Sequence, residues 1–245
     1  MGLVGGLIVL LGLCAITCFQ DTMGIRLTEF RVPNQILNGQ SAILKCNYDL
    51  EGDTLYAVKW YKGYYEFFRY LPEDIPHITT FPRPGVNVNV ENSTENSLVL
   101  SSVDLSSTGR YRCEVASGYP YFHVVHDEGD MMVIDPPKED PRMVGVHPRY
   151  YFGDTVRINC TSGPSKPAAE LNWFINGQQA NSRFLRGPFR ESNPEGLENS
   201  TLGLEVVVGP VHFRRSGRME LKCLATIATV YSRSVVQIVE GDQPQ

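Results

Sequence analysis

Apolar and polar residues alternate along most of the chain in short runs that are separated by turn residues. Residues 42–46, 97–101 and 155–160 each place apolar side chains at every second position. Because side chains of a strand point alternately to its two faces, such runs predict half-buried strands. No long window has the period of an amphipathic helix, so the pattern predicts an all-β protein.

A polar, proline-rich segment divides the chain near its middle. Residues 136–141 contain three prolines, which supply no amide hydrogen to a β-ladder. The segment therefore predicts a stiff linker. It separates a first domain at residues 25–135 from a second at residues 142–240, and 245 residues suit two domains of the usual size.

The N-terminus carries an apolar run at residues 3–16, before the first charge at Asp21. The run is shorter than the ~20 residues that a spanning helix needs. It therefore favours a secretory signal peptide at residues 1–20, with an uncleaved anchor as the alternative. No second apolar segment follows. We expect an extracellular, secreted protein, or one associated with the cell surface, without a transmembrane segment.

Four cysteines lie outside this apolar leader, namely Cys46, Cys113, Cys160 and Cys223. The secretory pathway is oxidising and favours disulfides. Of the three possible pairings, the spacing favours Cys46 with Cys113 and Cys160 with Cys223, because each pair then falls in its own half. Zinc binding is the alternative, but no pair has the spacing that is typical of zinc ligands. We expect no metal.

A tryptophan follows the first cysteine of each half. Trp60 comes fourteen residues after Cys46, and Trp173 comes thirteen after Cys160. This spacing, followed by a second cysteine, is typical of immunoglobulin domains, in which the tryptophan packs on the disulfide that joins the two sheets. The chain is therefore predicted to form two tandem immunoglobulin-like β-sandwiches.

The residues before the second cysteine distinguish the two halves. Tyr111, two residues before Cys113, matches the tyrosine corner of immunoglobulin domains. Leu221 takes the corresponding place in the second half, and Ser107 stands where an aspartate is usual in the first. We therefore expect a V-like first domain and a looser, C-like second domain.

Aromatic residues are concentrated in the first half. Residues 58–70 include seven of them, and a second group lies at residues 119–122, where the last two strands of the domain turn beside the tryptophan strand. Tyrosine and arginine are enriched in binding hot spots, whereas burial as core is the alternative. The predicted partner-binding residues are Tyr61, Lys62, Tyr64, Glu66, Phe68, Arg69, Tyr70, Tyr119, Tyr121 and Phe122.

Three Asn-x-Ser/Thr sequences mark candidate glycosylation sites at Asn92, Asn159 and Asn199. Such sites lie on exposed surface in exported proteins. We expect Asn92 to lie on the sheet opposite the aromatic one, and Asn159 to point outward because it precedes a buried cysteine. The aromatic sheet would then remain free of sugar.

The sequence gives little indication of nucleic-acid binding, catalysis or metal binding. A net charge of −5 argues against nucleic-acid binding. The chain lacks the common nucleophile, zinc-protease and nucleotide-binding motifs. His123 and His126 are three residues apart, so on a strand they point to opposite faces and cannot share a metal. We expect neither an enzyme nor a cofactor, and a secreted enzyme is the minor alternative.

Several strings resemble the insect beaten path (Beat) family of immunoglobulin-domain axon guidance proteins over about residues 25–240. They are NGQSAILKCNYDLE at 38–51, LYAVKWYK at 55–62, EFFRY at 66–70, CEVA at 113–116, NCTS at 159–162 and PAAELNWFING at 167–177. The resemblance implies heterophilic binding to a sidestep-type immunoglobulin receptor through the first domain, in axon guidance and synaptic partner choice. Homophilic adhesion through the same aromatic sheet, with a homodimer, is the alternative.

Overall fold

The computed structural model describes residues 24–213 and 217–242, and the predicted signal peptide lies outside these residues. The first domain contains nine strands and two short 3-10 helices, at Val90–Asn92 and Leu105–Ser107. The strands are β1 (Arg26–Arg31), β2 (Gln35–Leu37), β3 (Ala42–Asp49), β4 (Leu55–Lys62), β5 (Tyr65–Tyr70), β6 (Ile78–Thr80), β7 (Ser97–Leu100), β8 (Gly109–Ser117) and β9 (Val124–Ile134).

The second domain contains the remaining strands and two further 3-10 helices, at Ser182–Phe184 and Pro210–His212. Its strands are β10 (Arg142–Val144), β11 (Arg149–Tyr151), β12 (Thr155–Ser165), β13 (Glu170–Ile175), β14 (Gln178–Gln179), β15 (Leu185–Ser192), β16 (Glu198–Val207), β17 (Arg218–Ile227) and β18 (Tyr231–Asp242). Within the described ranges, no helix could span a membrane.

Each domain is a sandwich of two sheets. In the first domain, a three-stranded sheet in the order β1-β3-β7 faces a six-stranded sheet in the order β2-β9-β8-β4-β5-β6. In the second, the order β10-β12-β16-β15 faces β11-β18-β17-β13-β14. Neighbouring strands are antiparallel except for the two pairs β2–β9 and β11–β18. The predicted fold of two tandem immunoglobulin-like β-sandwiches is confirmed.

A disulfide and a tryptophan lie at the centre of each sandwich. Disulfides join Cys46 to Cys113 and Cys160 to Cys223, the pairing that the spacing favours. Trp60 and Trp173 are buried beside them. The indole of Trp173 donates a hydrogen bond of 2.9 Å to the carbonyl of Leu202, so its single polar group is satisfied inside the core.

Tyr111 forms the tyrosine corner of the first domain. Its hydroxyl donates a hydrogen bond of 2.6 Å to the carbonyl oxygen of Ser107, and burial raises the pKa of the phenol. The turn that holds this carbonyl is capped by Asp104, whose carboxylate accepts from the Ser107 amide at 3.1 Å. A carboxylate therefore supports this corner, but from position 104 rather than 107.

The two domains meet through a small apolar cluster at the end of β9. Ile134 is fully buried there against Ala225 and Ile227 of the second domain. The next residue, Asp135, exchanges two backbone hydrogen bonds of 2.8 and 2.9 Å with Lys166. The residue that precedes the proline-rich linker is thus tied to the second domain by backbone pairing.

Candidate functional site

The outer surface of the six-stranded sheet is formed by side chains that alternate with the core. In β8, Cys113 and Val115 point inward, so Arg112 and Glu114 point away from the core. We call this surface the first-domain face. It comprises Tyr56, Lys59, Tyr61, Glu66, Arg69, Arg112, Glu114 and His126.

Four residues form a central cluster on this face, namely Lys59, Tyr61, Arg112 and Glu114. The Tyr61 hydroxyl donates to Glu114 Oε1 at 3.3 Å. Arg112 Nη2 is 3.5 Å from Glu114 Oε2, and Lys59 Nζ is 3.9 Å from Oε1. The Arg112 guanidinium also lies over the Tyr61 ring, 4.5 Å from its centroid. Burial, followed by the Glu114 charge, raises the pKa of Tyr61. The cluster therefore holds two cations around one carboxylate.

A second ion pair borders the cluster on β5. Arg69 Nε donates to Glu66 Oε1 at 2.6 Å, and Arg69 Nη2 donates to Glu66 Oε2 at 3.1 Å. The same guanidinium lies 5.4 Å from the centroid of Phe81. This two-point contact fixes both side chains on the outer surface. Glu66 lies opposite Tyr61 and Arg69 lies opposite Lys59, so both predicted residues are on the first-domain face.

An irregularity in β5 reverses the direction of one predicted binding residue. Trp60 lies opposite Phe68, but the next residue, Tyr61, lies opposite Glu66. Phe67 is therefore an extra residue, a bulge that lets two consecutive side chains point the same way. Both phenylalanines are fully buried in the core. The prediction that Phe68 faces a partner is wrong.

Two further predicted residues also point away from the first-domain face. Tyr70 is half-buried and packs against the core, because the bulge shifts the rest of β5. The ammonium of Lys62 donates to the carbonyl oxygens of Pro84 and Ser106. Burial lowers the pKa of Lys62. Tyr70 and Lys62 therefore lie outside the first-domain face, and their contact with a partner stays a prediction.

The remaining predicted aromatics lie at opposite ends of the sheet. Tyr64 is 98% exposed in the turn between β4 and β5. Tyr119, Tyr121 and Phe122 are exposed in the turn between β8 and β9. The two turns lie at opposite ends of the eight-residue strand β4, roughly 20 Å apart. The sequence predicts one aromatic patch, whereas the structure separates two aromatic turns by the central cluster.

The turn between β8 and β9 is attached to the loop that precedes β4. His123 Nδ1 is 3.1 Å from Asp53 Oδ2, and the Gly118 amide donates to the Thr54 carbonyl at 2.8 Å. The Tyr121 ring stacks on His123 with centroids 5.5 Å apart. In the described part of the chain, no group of three or more His, Cys, Asp or Glu side chains is placed to hold a metal ion.

The candidate glycosylation sites lie away from the first-domain face. Asn92 is exposed at the end of the 3-10 helix that leads to β7, a strand of the opposite sheet. Asn159 is exposed on β12, and Asn199 is half-buried on β16, both in the four-stranded sheet of the second domain. Sugars at these positions would leave the central cluster accessible.

The predicted binding set omits five residues of the first-domain face, namely Lys59, His126, Tyr56, Arg112 and Glu114. The sequence does indicate the direction of the last two. Tyr111 and Cys113 are core residues, and their neighbours along a strand must face outward. Tyr56 lacks such a signal, since the register of β4 shifts between Leu55 and Ala57. Its side chain is 54% exposed.

Comparisons with known proteins indicate the protein class. No family model matches the chain. A segment of 85 residues, 35% of this chain, is 35% identical to cell adhesion molecule 2 of Xenopus tropicalis and spans 18% of that protein. A segment of 146 residues, 58% of this chain, is 27% identical to human nephrin and spans 11% of it.

Solved structures share the fold at low sequence identity. Murine CEACAM1b superposes with a TM-score of 0.62 at 18% identity, over 88% of this chain and all of that one. The chain spans less than a fifth of the curated relatives named above. Together, the similarities indicate an immunoglobulin-domain protein of the cell-adhesion type, and the similar proteins are adhesion proteins rather than enzymes.

Proposed function

We propose that this chain is an extracellular recognition protein whose first domain binds a sidestep-type immunoglobulin receptor on another cell. It would be exported through its N-terminal leader and act in axon guidance and synaptic partner choice. The observation that carries the proposal is the first-domain face, where tyrosines and partly buried charges cover the middle of a sheet that has no candidate sugar site.

The composition of the face supports protein recognition. Tyrosine and arginine are enriched among the hot spots of protein interfaces, and the Arg112 guanidinium lies over the Tyr61 ring at the centre of the face. The charges of Glu66 and Arg69, beside this centre, would select among partners more than they would add affinity.

A pairwise binding screen tests the proposal. The secreted full chain is presented to a panel of immunoglobulin receptor ectodomains that includes sidestep-type receptors and the chain itself. We expect saturable binding to a sidestep-type ectodomain. Self-association without receptor binding would support the homophilic alternative instead, and absence of binding to the whole panel would overturn the proposal.

Two tyrosines provide a matched test of where the receptor binds. Tyr61→Ala removes the ring on which Arg112 rests, so we expect binding to weaken by about tenfold or more. Tyr64→Ala truncates a side chain that is 98% exposed in the nearby turn, and we expect little change. Equal losses for both variants would contradict a binding site centred on the first-domain face.

A further inference from the structure

We infer that the central cluster of Lys59, Tyr61, Arg112 and Glu114 receives a carboxylate side chain of the partner. The inference deepens the proposed function and depends on it, because the first-domain face must be the docking surface. It identifies the partner's chemistry as an acidic residue at the centre of an immunoglobulin receptor's own docking sheet.

The balance of charge on the first-domain face is the first argument. Arg69 is matched by Glu66 in a two-point contact. Lys59 and Arg112, in contrast, share the single carboxylate of Glu114. The cluster therefore carries one positive charge in excess.

At the border of the face, Arg110 contacts both Glu128 and Asp130, at 2.9 and 3.0 Å. This group therefore has one negative charge in excess. The only unbalanced positive charge among these described groups lies in the central cluster.

Unused hydrogen-bonding capacity is the second argument. A guanidinium has five N–H donors and an ammonium has three. Arg112 Nη2 approaches Glu114 only to 3.5 Å and Lys59 only to 3.9 Å, which is too long for a good hydrogen bond. In the pair Arg69–Glu66, by comparison, the nitrogen and oxygen are 2.6 Å apart, which is the distance of a formed hydrogen bond.

The surroundings of the cluster are the third argument. The side chain of Arg112 is 34% exposed and that of Lys59 is 26% exposed, so both can be reached but are partly removed from water. Tyr56 and Val124 are more than half exposed nearby on β4 and β9. Apolar contacts around a charge exclude water and strengthen its pairing. The matching partner surface is an aspartate or glutamate bordered by apolar residues.

Charge variants test the inference with the sidestep-type ectodomain that binds the wild-type chain. Arg112→Gln removes the arginine that shares Glu114 with Lys59. The control, Arg69→Gln, removes the arginine that is paired with Glu66. We expect Arg112→Gln to weaken binding by about tenfold or more, mainly through faster dissociation, and Arg69→Gln to have a smaller effect. Lys59→Gln, whose side chain makes the longest contact, serves as a second variant if Arg112→Gln is not secreted.

Glu114→Gln is a variant for which we expect the opposite effect, stronger binding of the receptor. Removing the internal carboxylate frees both cations, so we expect binding to strengthen by a few fold. Charge reversal of Lys59 or Arg112 to Glu should be rescued by Lys at one acidic position of the receptor. Weaker binding of Glu114→Gln, or equal losses for Arg112→Gln and Arg69→Gln, would overturn the inference alone. Absence of wild-type binding would overturn the proposed function as well.

Discussion

Phe67 and Phe68 are neighbours in β5, and both side chains are fully buried in the core of the first domain. Phe67 packs edge-on against Tyr111, with ring centroids 5.9 Å apart, and Phe68 lies opposite Trp60. Two consecutive core residues in one strand require a bulge, because a regular strand sends neighbours to opposite faces. The core of the first domain therefore depends on this irregular strand.

Phe68→Ala should destabilise the first domain. Emptying the space of a buried phenylalanine costs about 3–5 kcal/mol, so we expect a large fall in the unfolding midpoint and in secreted yield. Denaturant unfolding of the secreted chain measures the change. Tyr65→Ala, which truncates an exposed aromatic three residues away, is the control and should leave the midpoint nearly unchanged. A small effect of Phe68→Ala would contradict its place in the core.

Alkaline pH should destabilise the folded chain through its buried tyrosines. Burial raises the pKa of Tyr48 to about 12 and also raises that of Tyr111, whereas both titrate near 10 in the unfolded chain. Between pH 10 and 12 the unfolded state releases protons that the folded state keeps. Stability that is complete below pH 10 is therefore lost as the pH rises through the folded pKa values.

Tyr111→Phe tests this dependence. The variant loses one buried hydrogen bond, so we expect it to be less stable by about 1 kcal/mol at pH 8. It should also lose less stability than the wild type between pH 8 and 11, because one titrating phenol is gone. Urea unfolding at the two pH values gives both quantities. Identical pH dependence in the two proteins would contradict the assignment to Tyr111.

Gly85→Ala should destabilise the turn beneath the tyrosine corner. Gly85 has a φ of +69°, and an added Cβ would lie 2.3 Å from the carbonyl carbon of Ser106. Gly52 also has a positive φ, but its Cβ would meet nothing within 4 Å. We expect Gly52→Ala to cost about 1–2 kcal/mol from backbone strain alone, and Gly85→Ala to cost clearly more. Thermal unfolding of both variants provides the comparison.

The two disulfides should stabilise their domains to a similar extent. They close loops of 67 and 63 residues, for which chain entropy gives about 4 kcal/mol each. Replacing Cys46 and Cys113 with alanine should therefore lower the unfolding midpoint about as much as replacing Cys160 and Cys223. Calorimetry of the two double variants checks this. A large loss in only one domain would contradict equal contributions.

The fold is predictable from the sequence because its main determinants are local or regularly spaced. Cysteine and tryptophan spacing fixes the sandwich, and Tyr111 lies two residues before its cysteine in the chain and at the corner in the structure. Strict alternation in β8 also places Arg112 and Glu114 outward. The first two features are signatures of the immunoglobulin fold, and the third follows from the two-residue period of a strand.

The binding face is less predictable, and two of its departures from the prediction, at Phe68 and Tyr70, follow from one inserted residue. The bulge at Phe67 turns Phe68 and Tyr70 inward, and no residue type in the string EFFRY distinguishes a bulged strand from a regular one. Lys62 differs from these two residues, because the bulge does not decide its direction. Its ammonium instead satisfies two backbone carbonyls at the end of the sandwich, a long-range contact that the sequence does not encode locally.

The parallel pairing of β2 with the end of β9 has a mechanical consequence. β9 continues directly into the linker, so tension between the two ends of the chain would pull Ile36 and Val133 in opposite directions along their shared ladder. The hydrogen bonds would then be loaded in shear and would have to fail together. β11 and β18 repeat the arrangement in the second domain. We expect both domains to resist stretching between their two ends.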